Sequence, residues 1–236
     1  MGKIELQIVQ GTAAEYPQAD INIVIDVIRA FTVSHLAFLR GAREIFLVNT
    51  VDEAFRLRDQ QPDYLLAGEV AGLPIAGFDL DNSPYTFSTA NVTNRSLVQK
   101  TTNGVKATLL ALNAQIILVT GLSNAKQTAL HARQIALGMS QCKVNVIASH
   151  GQDDDDLACA EYIRDILLGT NAIDISEIQN RIKASRPAQK FYDPNTPGFD
   201  ERDIAFCTRE VPSDFVMQVD TDSSRPRILK VPSSAR

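Results

Sequence analysis

The sequence predicts an α/β protein: a largely parallel sheet flanked by helices, with a second, smaller α/β part. Three observations predict it. Runs such as INIVIDV, QIILVT and VNVIA are nearly continuous in apolar residues, which suits strands covered on both faces. Helical patterns separate these runs, as parallel strands require. Polar residues follow several of the runs directly, at the strand ends where parallel sheets bind ligands.

Taken in order, strands are expected over 4–9, 21–27, 44–48, 64–67, 96–101, 115–120 and 143–148. Helices are expected over 33–39, 51–60, 105–112, 124–137 and 157–168. The first leads to a stop at Gly41. The second carries Val51, Ala54, Phe55 and Leu57 at close to helical spacing, and Gly138 and Gly169 end the last two. Residues 68–93, rich in Gly, Pro, Asn, Asp, Ser and Thr, form a loop long enough to suggest function. Residues 185–198 read as an irregular linker. A short helix over 201–208 and strands over 215–219 and 228–231 follow, either as a second small sheet or as a return to the first. The tail after Pro232 is expected to fray. The whole chain, 1–236, reads as one unit that could hold two α/β subdomains.

The chain has 236 residues, with 44% hydrophobic and 22% charged, which is enough for a real core. Its net charge of -5 argues against a nucleic-acid partner and leaves an anionic small molecule open. Cys142, Cys159 and Cys207 lack metal-ligand spacing and fit buried packing in a reducing compartment. The start, MGKIELQIVQ, has no apolar signal-peptide core, and no run approaches the roughly 20 residues a membrane helix needs. The expectation is a cytoplasmic protein without a membrane partner. A homodimer is expected only because many soluble enzymes are symmetric dimers.

The strand-end residues carry the candidate chemistry. Asp26 lies inside an apolar run, where a carboxylate is costly unless paired or metal-bound, and Arg29 is its obvious partner. The alternatives are a structural ion pair, or a metal ligand or nucleophile beside a phosphate-gripping arginine. The turn Thr101-Thr102-Asn103-Gly104 leads from strand to helix and offers either an anion site or ordinary capping. Ser123 and Asn124 share that ambiguity, with capping favoured. Glu69, Asp79, Asn82 and Ser83 offer hard oxygen ligands suited to Mg²⁺, or simply a solvated turn-rich loop. Asp153 to Asp156 precede a helix, where acidic residues commonly serve only the helix dipole. His35, His131 and His150 read as structural.

In this order the segments Asp26-Val27-Ile28-Arg29-Ala30, Gly68-Glu69, Gly77-Phe78-Asp79, Asn82-Ser83-Pro84, Thr101-Thr102-Asn103-Gly104 and Ser123-Asn124-Ala125 resemble the 2-phosphosulfolactate phosphatase family. Asp156-Leu157-Ala158-Cys159-Ala160 and Asp203-Ile204-Ala205-Phe206-Cys207 extend the likeness across nearly the whole chain. The resemblance implies a Mg²⁺-dependent phosphatase of a small phosphorylated acid. It implies catalytic roles for Asp26, Arg29, Glu69 and Asp79, with Asp26, Glu69, Asp79 and Asp156 as metal ligands. Asn82, Ser83, the 101–104 turn, Ser123 and Asn124 would bind substrate. Departures from the family's pattern fall at Phe31, Val33, Asp81, Val105, His150, Asp155 and Glu161. They keep a non-catalytic binder, or an enzyme for another phosphorylated acid, open. The nucleophile is either a metal-activated water or a carboxylate such as Asp26.

Overall fold

The computed structural model describes residues 2–12, 15–151, 153–223 and 225–233. The strands are β1 (Lys3–Gln10), β2 (Ile21–Ile25), β3 (Glu44–Leu47), β4 (Leu65–Val70), β5 (Leu73–Pro74), β6 (Ser96–Lys100), β7 (Ile116–Thr120), β8 (Gln141–Ala148), β9 (Phe215–Asp220) and β10 (Arg227–Pro232). The helices are α1 (Ala30–Leu39), α2 (Val51–Gln60), α3 (Pro84–Thr89), α4 (Gly104–Leu110), α5 (Ala125–Leu137), α6 (Asp154–Leu168), α7 (Ile175–Ala184), α8 (Arg186–Tyr192) and α9 (Glu201–Cys207). Every expected strand and helix is present within a few residues. The fraying expected after Pro232 lies, beyond Ser233, outside the described residues.

Local chemistry sets several boundaries. Thr50 and Glu53 form a reciprocal capping box at the start of α2. Ser83 caps α3 and Pro84 fills a first-turn position, where its missing N–H costs nothing. Gly169 closes α6 at a positive φ of 76°.

All ten strands lie in one sheet, ordered β1-β8-β2-β7-β9-β10-β3-β6-β4-β5. The strands β1, β8, β2 and β7 are mutually parallel, as are β3, β6 and β4. The hairpin β9-β10 runs antiparallel to both β7 and β3, so the end of the chain returns to the main sheet and joins its two parallel halves. Among the described residues, the second small sheet held open by the sequence does not form.

Both faces of the sheet are covered, which is why its strands read as continuous apolar runs. Along β2, Val24 enters the core beneath α1 and α4, while Ile23 and Ile25 enter the core beneath α5 and α6. Leu118 and Val119 on β7, and Val216 and Met217 on β9, divide between the same two cores. Each such fully buried aliphatic side chain contributes about 1.5–3 kcal/mol.

The linker expected over 185–198 is corrected in its first half, because α8 occupies Arg186–Tyr192. Pro187 lies in the first turn of that helix, and Ala188 and Phe191 bury against Ile204 of α9. Two further helices were not anticipated, α3 within the loop expected over 68–93 and α7. In α7, Ile178 and Ile182 sit one turn apart and are fully buried.

Candidate active site

The carboxyl end of β2 faces a cleft of about 490 Å³. Five steps along the sheet separate β2 from β6, yet their carboxyl ends meet. A twist of about 20–25° per step, accumulated over those strands, curls the sheet far enough for this. Its lining includes the acidic residues Asp26, Glu69, Asp153, Asp155 and Asp156. Arg29, Arg186 and Lys190 supply positive charge to the same cleft.

Asp26 is buried. Its Oδ1 accepts the N–H of Ala30 at 2.9 Å and its Oδ2 the N–H of Gly104 at 2.8 Å. Asp156, also buried, accepts the Val27 N–H at 2.8 Å, the Ser149 hydroxyl at 2.9 Å and the His150 N–H at 3.1 Å. Asp155 is buried beside it, and its Oδ1 has no hydrogen-bond partner among the described residues. Burial, and then the charge of Asp156, push the Asp26 carboxyl up to about 8. Burial and the charge of Asp155 push Asp156 up to about 8, and burial and the charge of Asp26 push Asp155 up to about 7. Desolvation is the larger cause in all three, and mutual repulsion adds to it.

Arg29 is held rather than free. Its Nη1 donates to Asp203 at 2.9 Å and its Nη2 to the Gly72 carbonyl at 2.8 Å. The guanidinium carbon lies 4.9 Å from the Phe191 ring centre and 5.5 Å from that of Phe199. Asp203 also accepts the Ser83 hydroxyl at 2.6 Å and the Tyr85 N–H at 3.0 Å. This buried carboxylate therefore fixes Arg29 and α3 together. The partner expected for Arg29, Asp26, is not its ion-pair partner.

The remaining expected residues divide. Glu69 reaches the cleft, but its oxygens accept the Thr102 N–H and hydroxyl and the Gly72 N–H, so it braces the 101–104 turn. Asn82, Thr102 and Asn103 line the cleft, and the buried Oδ1 of Asn82 has no hydrogen-bond partner among the described residues. The Thr101 hydroxyl oxygen accepts the Val105 N–H in the first turn of α4 at 3.0 Å. The N–H groups of Thr102 and Gly104, expected to grip an anion, are taken by Glu69 and Asp26. Gly104 is required there, because a Cβ would lie 2.6 Å from Asp26 Oδ2.

Asp79 is not brought to the cleft. Its Oδ2 accepts the Leu66 N–H at 2.8 Å and lies 3.1 Å from Arg58. Leu66 precedes Glu69 by three residues along β4, which is about 10 Å of strand. Ser123 and Asn124 also stay out of the cleft lining. Ser123 pairs with His35 at 3.0 Å, and Asn124 accepts from the Thr120 hydroxyl at 2.9 Å.

Sequence reasoning missed Asp155, Asp203, Arg186 and Lys190 as site residues, and it read His150 as structural. His150 lines the cleft, with Nδ1 2.9 Å from Asp153. Among the described residues, no three His, Cys, Asp or Glu side chains form a ready-made metal cage. A Mg²⁺ ion does not need one, since it is usually held by one or two carboxylates plus waters and substrate phosphate. The unpartnered Asp155 oxygen and the coupled carboxylates beside it fit such an ion.

The family model described as 2-phosphosulpholactate phosphatase matches residues 7–222. The chain belongs to the 2-phosphosulfolactate phosphatase family. One relative in that family, from Bacillus subtilis (strain 168), is named "Probable 2-phosphosulfolactate phosphatase" and is 54% identical over 96% of this chain and 98% of its own length. Relatives bearing the same name are 36% identical in Deinococcus radiodurans, over 70% of this chain and 68% of theirs, and 33% identical in Clostridium novyi, over 66% of each. Among the described residues, no helix of this family member is long and apolar enough to cross a membrane.

Proposed function

We propose that this chain hydrolyses the phosphate ester of a small acidic alcohol, 2-phosphosulfolactate, to sulfolactate and phosphate with Mg²⁺ bound. Three buried carboxylates with raised pKa values facing a cleft that also holds Arg29 carry this reading. Names given to relatives supply the substrate. Asp155 would hold the ion with Asp26 and Asp156 beside it, and the ion would neutralise phosphoryl charge.

The chain's own residues perform the remaining work. Two of the five donors of Arg29 are engaged, which leaves others for phosphoryl oxygens. Both oxygens of Asp26 accept backbone N–H bonds, so a water is the better nucleophile. The water adds to phosphorus and the bond from phosphorus to the alkyl oxygen breaks. The proton of the water passes to a cleft carboxylate other than the one that would hold the ion. His150 at the cleft wall gives a proton to the departing alkoxide. Three buried, free cysteines fit the cytoplasmic setting that goes with this reading.

Phosphate release from a panel of esters tests the reading. 2-Phosphosulfolactate should be turned over faster than phospholactate or phosphoglycolate. A protein that binds these acids and releases no phosphate from any of them is the non-catalytic binder.

A further inference from the structure

The cleft holds positive charge that phosphate chemistry at Asp26 does not use. Arg186 and Lys190 lie one helical turn apart on α8 and line the same cavity as the buried carboxylates. Both are exposed, and no carboxylate forms an ion pair with either among the described residues. The helix itself is anchored. Phe191 is buried and meets Phe199 edge to face with ring centres 5.0 Å apart, and Ala188 packs with Ile204. Two cations without a carboxylate partner, Lys190 also lying 6.0 Å from the Phe199 ring centre, therefore line on a fixed helix the same cavity of about 490 Å³ as the buried carboxylates, larger than a phosphoryl group fills.

We infer that Arg186 and Lys190 form a second anion subsite, which receives the acid groups of the substrate remote from its phosphate ester and so selects polyacidic esters. The inference deepens the phosphatase reading and rests on it for the identity of the bound acid. The guanidinium of Arg186 suits the planar carboxylate or the sulfonate oxygens through paired N–H donors. The ammonium of Lys190 adds a point charge to the same acid end. An ester with no acid group beyond its phosphate would leave both cations unpaired and gain nothing from them.

Binding of sulfolactate to the full-length protein with Mg²⁺ present, followed by calorimetry, tests the subsite without requiring turnover. Arg186→Gln and Lys190→Gln should each weaken binding about tenfold, as loss of one charge-assisted hydrogen bond does. Arg186→Lys should restore part of the loss. Lys183→Gln, which removes an exposed cation that does not line the cleft, should change nothing. In steady-state assays the double variant should lose preference for 2-phosphosulfolactate over isopropyl phosphate, mainly through KM. Unchanged sulfolactate affinity in the double variant, or no binding by the wild type, overturns the subsite. Sulfolactate binding without hydrolysis of any ester overturns the phosphatase reading and leaves the subsite standing.

Discussion

The Gly104 N–H donates to Asp26 Oδ2 at 2.8 Å and ties the start of α4 to the carboxyl end of β2. This bond joins the two parallel halves of the sheet at the cleft. It also orients the carboxylate on which the hydrolase reading depends.

Gly104→Ala tests that contact. Its Cβ would stand 2.6 Å from Asp26 Oδ2 and 2.9 Å from Asp26 Cβ, so the carboxylate or the helix must move. Overpacking of this kind costs about 1–3 kcal/mol. Phosphate release should fall about a hundredfold, since misplacement by roughly 1 Å is enough for that. Thermal unfolding and turnover measured on the same preparation check both parts.

Stability of the metal-free protein should fall as pH rises. Asp26, Asp155 and Asp156 are raised in the folded chain to about 8, 7 and 8, above their unfolded values near 4. The folded state then binds more protons than the unfolded state between those limits, and the slope of stability with pH is negative. The contribution is complete below the unfolded values and is lost as pH climbs through 7 to 8. Mg²⁺ should therefore raise the unfolding midpoint more at pH 8 than at pH 5, by about 5 °C or more, since 1 kcal/mol moves a chain of this size by roughly 2–4 °C. Thermal melts with and without chelator measure this, and Asp155→Asn should flatten the trend.

Asp203 is predicted to act through Arg29. It is fully buried and binds Arg29 Nη1, the Ser83 hydroxyl and the Tyr85 N–H. Asp203→Ala leaves a buried guanidinium without its counter-charge, which costs about 3–5 kcal/mol. Denaturant unfolding checks the loss. The milder Asp203→Asn should raise KM for phosphate esters more than it lowers kcat, because it loosens the phosphate grip and leaves the carboxylate cluster intact.

His150→Gln should slow esters in proportion to how poor their leaving group is. General acid catalysis contributes about 10²–10⁴-fold where an alkoxide must be protonated and little where the leaving group is stable without a proton. Rates on 2-phosphosulfolactate should fall about a hundredfold, while rates on p-nitrophenyl phosphate should hardly change.

Much of this arrangement was legible in the sequence, for local reasons. Apolar runs marked the strands because both faces of the sheet are covered, and polar residues at their ends marked the cleft through Asp26, Arg29, Glu69 and Thr102. Other features depended on distant partners. Asp79 sits in the right loop, but Arg58 and the Leu66 N–H hold it away from the site. Whether the hairpin β9-β10 formed a second sheet or returned to the first stayed open, because its partners β7 and β3 lie far away along the chain. Proline-rich sequence hid α8, although Pro187 falls in the first turn, where a helix tolerates it. Arg186 and Lys190 were hidden with it.

The most direct measurement is phosphate release from 2-phosphosulfolactate by the wild type and Asp26→Asn, each with saturating Mg²⁺ and again after chelation. Release should need both the ion and the Asp26 carboxylate, and should drop to background when either is removed. A wild-type rate that survives chelation, or an Asp26→Asn rate equal to the wild type, would contradict hydrolysis at the buried carboxylate cluster.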